Sequence, residues 1–206
     1  LSIDYNGNIL SKVKIPPYSS YTPFLAIFSN SNKYIVADRG SNQTSARIFV
    51  YNIDLQCINN FLIDGPIDNI AVAEDGFYSI SKRYDGIISN AARNLTKYDF
   101  NGNIMWSKHF PDHLMGHVSC DDCGNIYYAA VELIYDKPGL TWKTQKISSN
   151  GDILWEKIWY GDYQIGTQYL GTWTQDVLAM PNGGGCITSG NSTKPGQDTL
   201  NPNFNA

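Results

Sequence analysis

The segment DFNGNIMWSK, residues 99–108, has two near relatives in the same chain, DYNGNILSKV at residues 4–13 and SSNGDILWEK at residues 148–157. Aligned on the glycine, they place Gly7, Gly102 and Gly151 in register. Leu55 of VYNIDLQCI fills the gap, so that successive copies lie 48, 47 and 49 residues apart. A sustained period of this size marks a repeat architecture in which each copy builds one supersecondary unit. Asn-Gly accepts the positive φ angles that a tight hairpin demands, so the phrase reads as a turn entering a strand. A second phrase, a short polar turn followed by aromatic or β-branched residues, alternates with the first. It recurs as SNSNKYIVA (29–37), AEDGFYSIS (73–81), CDDCGNIYYAA (120–130) and MPNGGGCITSG (180–190). Two hairpins per period make four short strands in about 40–50 residues, the pattern of a propeller blade.

The rest of the chain agrees with an all-β reading. Apolar residues alternate over short segments such as KYIVA, RIFVYNI and DILWEKIW, and Asn, Asp and Gly bound them. Of the acidic side chains only Glu74, Glu132 and Glu156 are glutamate; the others are aspartate, a turn former. The expected fold is a β-propeller of four-stranded antiparallel blades, with about four blades' worth of strands. Either a closed four-bladed ring or a segment of a larger propeller satisfies it. Blade phrases fall near residues 1–15, 22–64, 66–110, 112–159 and 174–190, with repeats over 1–190 and a loop-like tail at 191–206. The first phrase supplies a third and fourth strand and the last a first and second, so the two halves are complementary and could pair to close a ring.

With 206 residues, 42% of them apolar, the chain can bury one sizeable core. Fifteen basic and nineteen acidic groups give a net charge of −4 and no basic stripe for phosphates, which argues against nucleic acid. The longest apolar run, FLAIF at residues 24–28, is far short of the ~20 residues that cross a bilayer. An opening LSIDYNG leads to the expectation that any targeting segment has been removed or lies outside the sequence, with further domains of a longer polypeptide allowed.

Aspartate, glycine three residues on and tryptophan four residues later, as in DFNGNIMW with SNGDILW alongside, resembles the tryptophan-bearing repeats of quinoprotein-like propellers. NGDILWEKIWYGD followed by DVLAMPNGGGCITSGNST also resembles repeat regions of secreted Bacteroidetes-type surface proteins. The resemblance implies a propeller fold and an extracellular, cell-surface or periplasmic setting. It implies no activity, because propellers host unrelated chemistries. The paired adjacent cysteines of quinoprotein dehydrogenases are absent, and no calcium-holding carboxylate set can be matched, so no cofactor is expected.

His109, His113 and His117, with Cys120 and Cys123 close behind, form the sharpest ligand-like cluster, of types that zinc prefers. In blade register, however, His109 ends a strand, His113 falls in a connection and His117 to Cys120 form the next strand. The donors then point apart and no metal site is expected. Cys120 and Cys123 lie close enough across a turn for a small disulfide. Asp4, Asn6, Asp99 and Asn101 resemble a calcium loop, yet side chains that brace a hairpin explain them better.

Connections carry the functional expectation. Those between second and third strands (ADRGSNQTSA, KRYDGIISNAARN, ELIYDKPGLT) and between successive blades (PPYSSYTPF, HFPDHLMGH, YGDYQIGTQYLGTW) read as long and share one face, where binding residues concentrate. Arg39 and Arg83 occupy one repeat position, Arg93 lies in a connection of the same class, and Asp38, Asp85, Glu132 and Asp136 accompany them. Trp159, Tyr160, Tyr163, Tyr169 and Trp173 crowd the last connection. Arginine and aromatic rings are favoured binding anchors. The expected site is therefore Arg39, Arg83, Asp85, Glu132, Tyr163, Tyr169 and Trp173, binding a protein or glycan. The alternative is an enzyme in which the two arginines hold an anionic substrate and Asp85 or Glu132 serves as acid or base.

Overall fold

The computed structural model describes residues 2–3, 9–11, 24–28, 33–38, 45–82, 92–133, 140–160 and 172–192. Side chains are described at 33–38, 45–82, 92–132, 141–159 and 175–190. Apart from one 3-10 turn at Pro181–Gly183, every described element is a strand. The short hairpin β1 (Ser2–Ile3) and β2 (Ile9–Ser11) comes first. Three four-stranded antiparallel sheets follow: β3 (Phe24–Phe28), β4 (Lys33–Asp38), β5 (Ser45–Asn52) and β6 (Cys57–Asp64); β7 (Ile67–Val72), β8 (Phe77–Lys82), β9 (Arg93–Tyr98) and β10 (Ile104–Phe110); β11 (His113–Cys120), β12 (Ile126–Leu133), β13 (Leu140–Ile147) and β14 (Ile153–Tyr160). A two-stranded sheet, β15 (Thr172–Ala179) with β16 (Cys186–Ser192), comes last. Strand order within each sheet follows the sequence, so each sheet is a meander.

The repeated phrase lies where third strand meets fourth, as expected, but its turn chemistry differs in one respect. Gly102 N–H donates to the Asp99 carbonyl (3.2 Å) and Asp99 N–H to the Asn103 carbonyl (3.0 Å); Gly151 with Ser148 and Asp152, and Leu55 with Asn52 and Gln56, repeat the pattern. Only the fourth residue of each turn takes a positive φ: 90° at Gly102, 93° at Gly151 and 60° at Leu55. The asparagine before each glycine stays at negative φ. The hairpin is thus a three-residue loop closed by a bulge at the left-handed residue, not a two-residue Asn-Gly turn. A separate irregularity follows in the fourth strand: Tyr98 faces Ile104 while Lys97 faces Trp106, and Ile147 faces Ile153 while Lys146 faces Trp155, so Met105 and Leu154 are each an extra residue.

The first residue of each turn is chosen for its side chain. Asp99 Oδ1 accepts from the N–H groups of Asn101 (2.8 Å) and Asn103 (2.9 Å), and Asn103 Nδ2 donates to Oδ2 (2.8 Å). Those bonds, led by the Asn103 amide, hold the Asp99 carboxyl below its ordinary 3.8. Asp121 braces the turn between β11 and β12 in the same way, accepting from Cys123 (3.0 Å) and Asn125 (2.8 Å). The calcium-like spacing at Asp99 is a brace for the turn.

The sheets stack in sequence order through their first strands: β3 lies against β7, β7 against β11, and β11 against β15. Asn69 Oδ1 accepts from Val118 N–H (3.2 Å), and Ser119 Oγ accepts from Ala179 N–H (3.0 Å). Between the sheets sit separate apolar layers. Ile35, Ile48 and Val50 meet Ile67, Ile70 and Phe77; Tyr78, Ile80 and Leu95 meet Val118, Ile126 and Tyr128; Tyr127 and Ala129 meet Val177. Ile35, Tyr78 and Tyr127 occupy the same repeat position in the second strand, each following the residue that faces the last one before the turn between third and fourth strands, and each is wholly buried toward the following sheet. Each contributes about 2–3 kcal/mol of burial.

The tryptophan of the phrase also works between sheets. Trp106 Nε1 donates to the Ser149 carbonyl (2.9 Å) in the next sheet's turn, and a Cβ added to Gly151 would lie 3.2 Å from its ring. One sheet earlier Asn59, at the same position, donates through Nδ2 to the Phe100 carbonyl (3.0 Å), while Phe61 covers Gly102. Position, rather than residue type, is preserved.

Two expectations need correction. The connections between sheets are short where they are described: Gly65–Pro66 joins β6 to β7 and Pro111–Asp112 joins β10 to β11. Gly-Pro and Pro-Asp are turn formers, and two residues suffice. His113, placed by sequence in a connection, therefore opens β11, and Arg93 likewise opens β9 instead of lying in a loop.

Candidate functional site

The described turns within hairpins lie at one end of the sheets; β4, β8 and β12 end, and β5, β9 and β13 begin, at the other. Polar groups collect at that second end. Arg93, 6% exposed at the start of β9, sets Nε 2.6 Å from Asp68 Oδ2 at the start of β7, as a close ion pair off the angle of an aligned hydrogen bond. Burial without a counter-charge would be costly for the guanidinium, and Asp68 draws it inward.

His113 lies next to this pair, 3% exposed, its ring stacked on Phe110 at 4.7 Å between centroids. Its Nδ1 is 2.9 Å from the Tyr128 hydroxyl, and Nε2 is 3.7 Å from Glu132 Oε1. Glu132 accepts from Lys143 Nζ at 2.8 Å, and Lys143 stands 3.6 Å from Glu156 Oε2, which also accepts from Gln145 Nε2 at 2.6 Å. His113, and then Lys143, hold the Glu132 carboxyl below its ordinary 4.5, against the opposing effect of burial. Lys143 is the shorter contact. A carboxylate held ionised suits an anchor or an acceptor better than a proton donor.

The other face of the third sheet carries rings, because alternate residues of a strand point to opposite faces. Trp142 and Trp159 face each other across β13 and β14 with centroids 5.3 Å apart, and Trp159 is 45% exposed. The Trp142 indole N–H is buried and has no hydrogen-bond partner among the described residues. The half-open face of Trp159 can stack on an apolar ligand face.

Of the sequence-predicted site, Glu132 lies in this cluster. Trp173 lies on β15, opposite Asn191 of β16. Arg39, Arg83, Asp85, Tyr163 and Tyr169 lie outside the described residues, as does Asp136. Asp38 ends β4 and is buried. Sequence reading missed Lys143, the pairing of Arg93 with Asp68, and the packing of Trp142 against Trp159.

The histidines and cysteines have separate partners. His109 Nδ1 meets Asn94 Oδ1 at 2.8 Å, and His113 meets Tyr128. Burial lowers the pKa of His117, against the pull of Asp176 and Asp68. Cys120 and Cys123 are free thiols, Cys120 donating to the Asp121 carbonyl (3.3 Å). Among the described residues, the one group of carboxylate and thiol donors close enough to share an ion is Asp121, Asp122 and Cys123. Asp121 is already engaged by its own turn, and Asp122 Oδ1 accepts from Asn182 N–H at 2.7 Å.

No protein-family model matches the chain, and comparison with curated proteins finds no match.

Proposed function

We propose that these sheets are blades of a β-propeller and that the chain is a secreted or cell-surface binding module, presenting its long-connection end to a protein or glycan. The observation that carries this reading is the half-exposed Trp159 packed at a tilt against Trp142, on the sheet whose opposite face holds Lys143 and Glu132. Sugar rings present apolar faces to aromatic side chains and hydroxyls to polar ones. Arg39 and Arg83, one repeat apart in the sequence, are the cations that would suit an anionic or sugar-bearing surface. Like order and register in three successive sheets, stacked through their first strands, support the propeller assignment, as does the resemblance to quinoprotein-like and surface-protein repeats. The enzyme alternative draws on Glu132 beside His113, but Lys143 already neutralises that carboxylate.

The test is binding to an array of neutral and acidic oligosaccharides. Trp159→Ala should weaken retention of the bound sugar by roughly 1–3 kcal/mol, as should Arg39→Ala and Arg83→Ala for acidic ligands. Asp152→Ala, on an exposed tight turn, should leave binding unchanged. Loss of binding with the Asp152 variant and retention with the others would place the functional end at the opposite side.

A further inference from the structure

The fourth strand of each four-stranded sheet carries one residue too many. Val50 faces Asn59 while Tyr51 faces Cys57, Lys97 faces Trp106 while Tyr98 faces Ile104, and Lys146 faces Trp155 while Ile147 faces Ile153. The extra residues are Ile58, Met105 and Leu154, all apolar and exposed, at 51%, 49% and 54%. Ile104 and Ile153, just before the extra residue in their strands, are exposed as well, and so is Ile53 in the turn of the first sheet. Exposed apolar residues scattered singly are ordinary. Here they recur at one repeat position in three sheets, together with the bulge that sets each one out of the strand.

The residues form one stripe. Asn59, next to Ile58, donates through Nδ2 to the Phe100 carbonyl in the next sheet's turn, and Phe61 lies against Gly102. Ile104 and Met105 follow that turn in the second sheet. Trp106, next to Met105, donates to the Ser149 carbonyl and lies against Gly151, and Ile153 and Leu154 follow in the third sheet. Each apolar group is thus tied to the next by a contact between adjacent sheets.

Two properties select the partner. The strands β6, β10 and β14 pair on one side only among the described strands, and their bulges break the regular row of backbone groups that a further strand would need. A partner therefore docks by side chains, as a helix does when it lays its apolar face on a hydrophobic surface. Charge decides the rest. Each turn beside the stripe carries one aspartate, Asp54, Asp99 or Asp152, and residues 52–56, 99–103 and 148–152 include no basic side chain. Two lysines reach these turns from neighbouring strands. Lys33 lies 4.1 Å over the Phe100 ring, and Lys97, 3.4 Å from the Ser149 carbonyl, is buried and already paired with Asp75 at 2.7 Å. Lys108 and Lys157 stand three residues further along the fourth strands, away from the turns. The turn side of the stripe is therefore net acidic.

We propose that this stripe is a docking surface for a basic amphipathic helix of another protein. The helix sets its apolar side chains on Ile58, Ile104, Met105, Ile153 and Leu154 and its cations toward Asp54, Asp99 and Asp152. An anionic lipid surface, which also takes up exposed apolar side chains, would meet the same aspartates and be repelled. The stripe begins at the turn end of the sheets, so this surface is separate from the sugar-binding end and does not rest on that reading.

The experiment titrates the full chain with two synthetic amphipathic helices, one of leucine and lysine and one of leucine and glutamate, followed by fluorescence anisotropy. The lysine helix should bind, and the glutamate helix should bind at least about tenfold more weakly. Met105→Ser and Leu154→Ser should each weaken the lysine helix by about fivefold or more. Asp54→Asn with Asp152→Asn should weaken it too and flatten its salt dependence between about 50 and about 300 mM NaCl. Leu178→Ser, at a 61% exposed site outside the stripe, should leave binding unchanged. Serine at these exposed positions should hardly move the thermal midpoint, so lost binding reports the surface and not unfolding. Absence of binding, equal binding of both helices, or binding that survives Met105→Ser with Leu154→Ser would overturn the proposal. Co-sedimentation with anionic vesicles, or a dimer, abolished by those substitutions would overturn it in favour of lipid or of a second copy. Retained oligosaccharide binding in the serine variants separates this test from that of the sugar-binding end.

Discussion

Glycine at position 102 and leucine at position 55 occupy the same place in the repeat, and the structure assigns opposite outcomes to exchanging their character. Gly102→Ala puts a Cβ on a residue at φ 90°, where an L side chain costs about 1–2 kcal/mol. That Cβ would also lie 2.6 Å from Phe61 Cδ2. Phe61 stacks on Phe77 at 6.1 Å, and Phe77 on Tyr98 at 5.1 Å, so the ring retreats only by disturbing the layer between the first two sheets. Overpacking of this kind adds about 1–3 kcal/mol, and the sum is roughly 2–5 kcal/mol. Leu55→Gly removes a left-handed leucine at φ 60°. Relief of about 1–2 kcal/mol, less the ~0.5–1 kcal/mol that glycine's flexibility costs, leaves a net stabilisation of about 0.5–1 kcal/mol. For a chain of this size, thermal unfolding should show Gly102→Ala down by roughly 5–15 °C and Leu55→Gly up by about 1–4 °C. A neutral Gly102→Ala together with a destabilising Leu55→Gly would refute the shared turn and the repeat register built on it.

Trp106→Phe keeps a ring against Gly151 but removes the bond to Ser149, and urea titration should show a loss of about 1 kcal/mol. Glu132 has a folded-state pKa below its unfolded value, so its contribution is present above about pH 4.5 and lost as pH falls through the lower folded value. Glu132→Gln should flatten that part of the stability–pH curve, measured by denaturant midpoints between pH 2 and pH 6. Burial pushes the Cys120 thiol up to about 12, while Cys57 and Cys123 are exposed. Timed alkylation at pH 8 with mass mapping should therefore modify Cys57 and Cys123 well before Cys120.

Strand content and the position of each turn were legible in the sequence because alternation and turn residues are local signals. The same holds for Asp99, whose brace needs only its own five-residue loop. The type of turn was less legible: Asn-Gly alone does not distinguish a two-residue loop from a three-residue loop with a bulge, and Leu55 at positive φ contradicts its own preference. Connection length misled at Pro111–Asp112, since the nine residues HFPDHLMGH read as a loop although seven of them belong to strands. The site was least legible. Arg93 meets Asp68 and His113 meets Tyr128 only after sheets form and stack, and no spacing in the chain encodes those pairs.

Whether the sheets fan out from their first strands or lie flat on one another can be measured by pulsed dipolar spectroscopy of paired spin labels. Glu74, Cys123 and Asn182 mark the turns between first and second strands, and Asp54, Asn101 and Asn150 mark the turns between third and fourth; all six are exposed except for the brace bond at Asn101 and Asn182 backbone N–H groups. A radial array gives longer distances for the outer pairs, 54–101 and 101–150, than for the inner pairs, 74–123 and 123–182. Equal spacing at inner and outer turns, as in a flat stack, would contradict the propeller account.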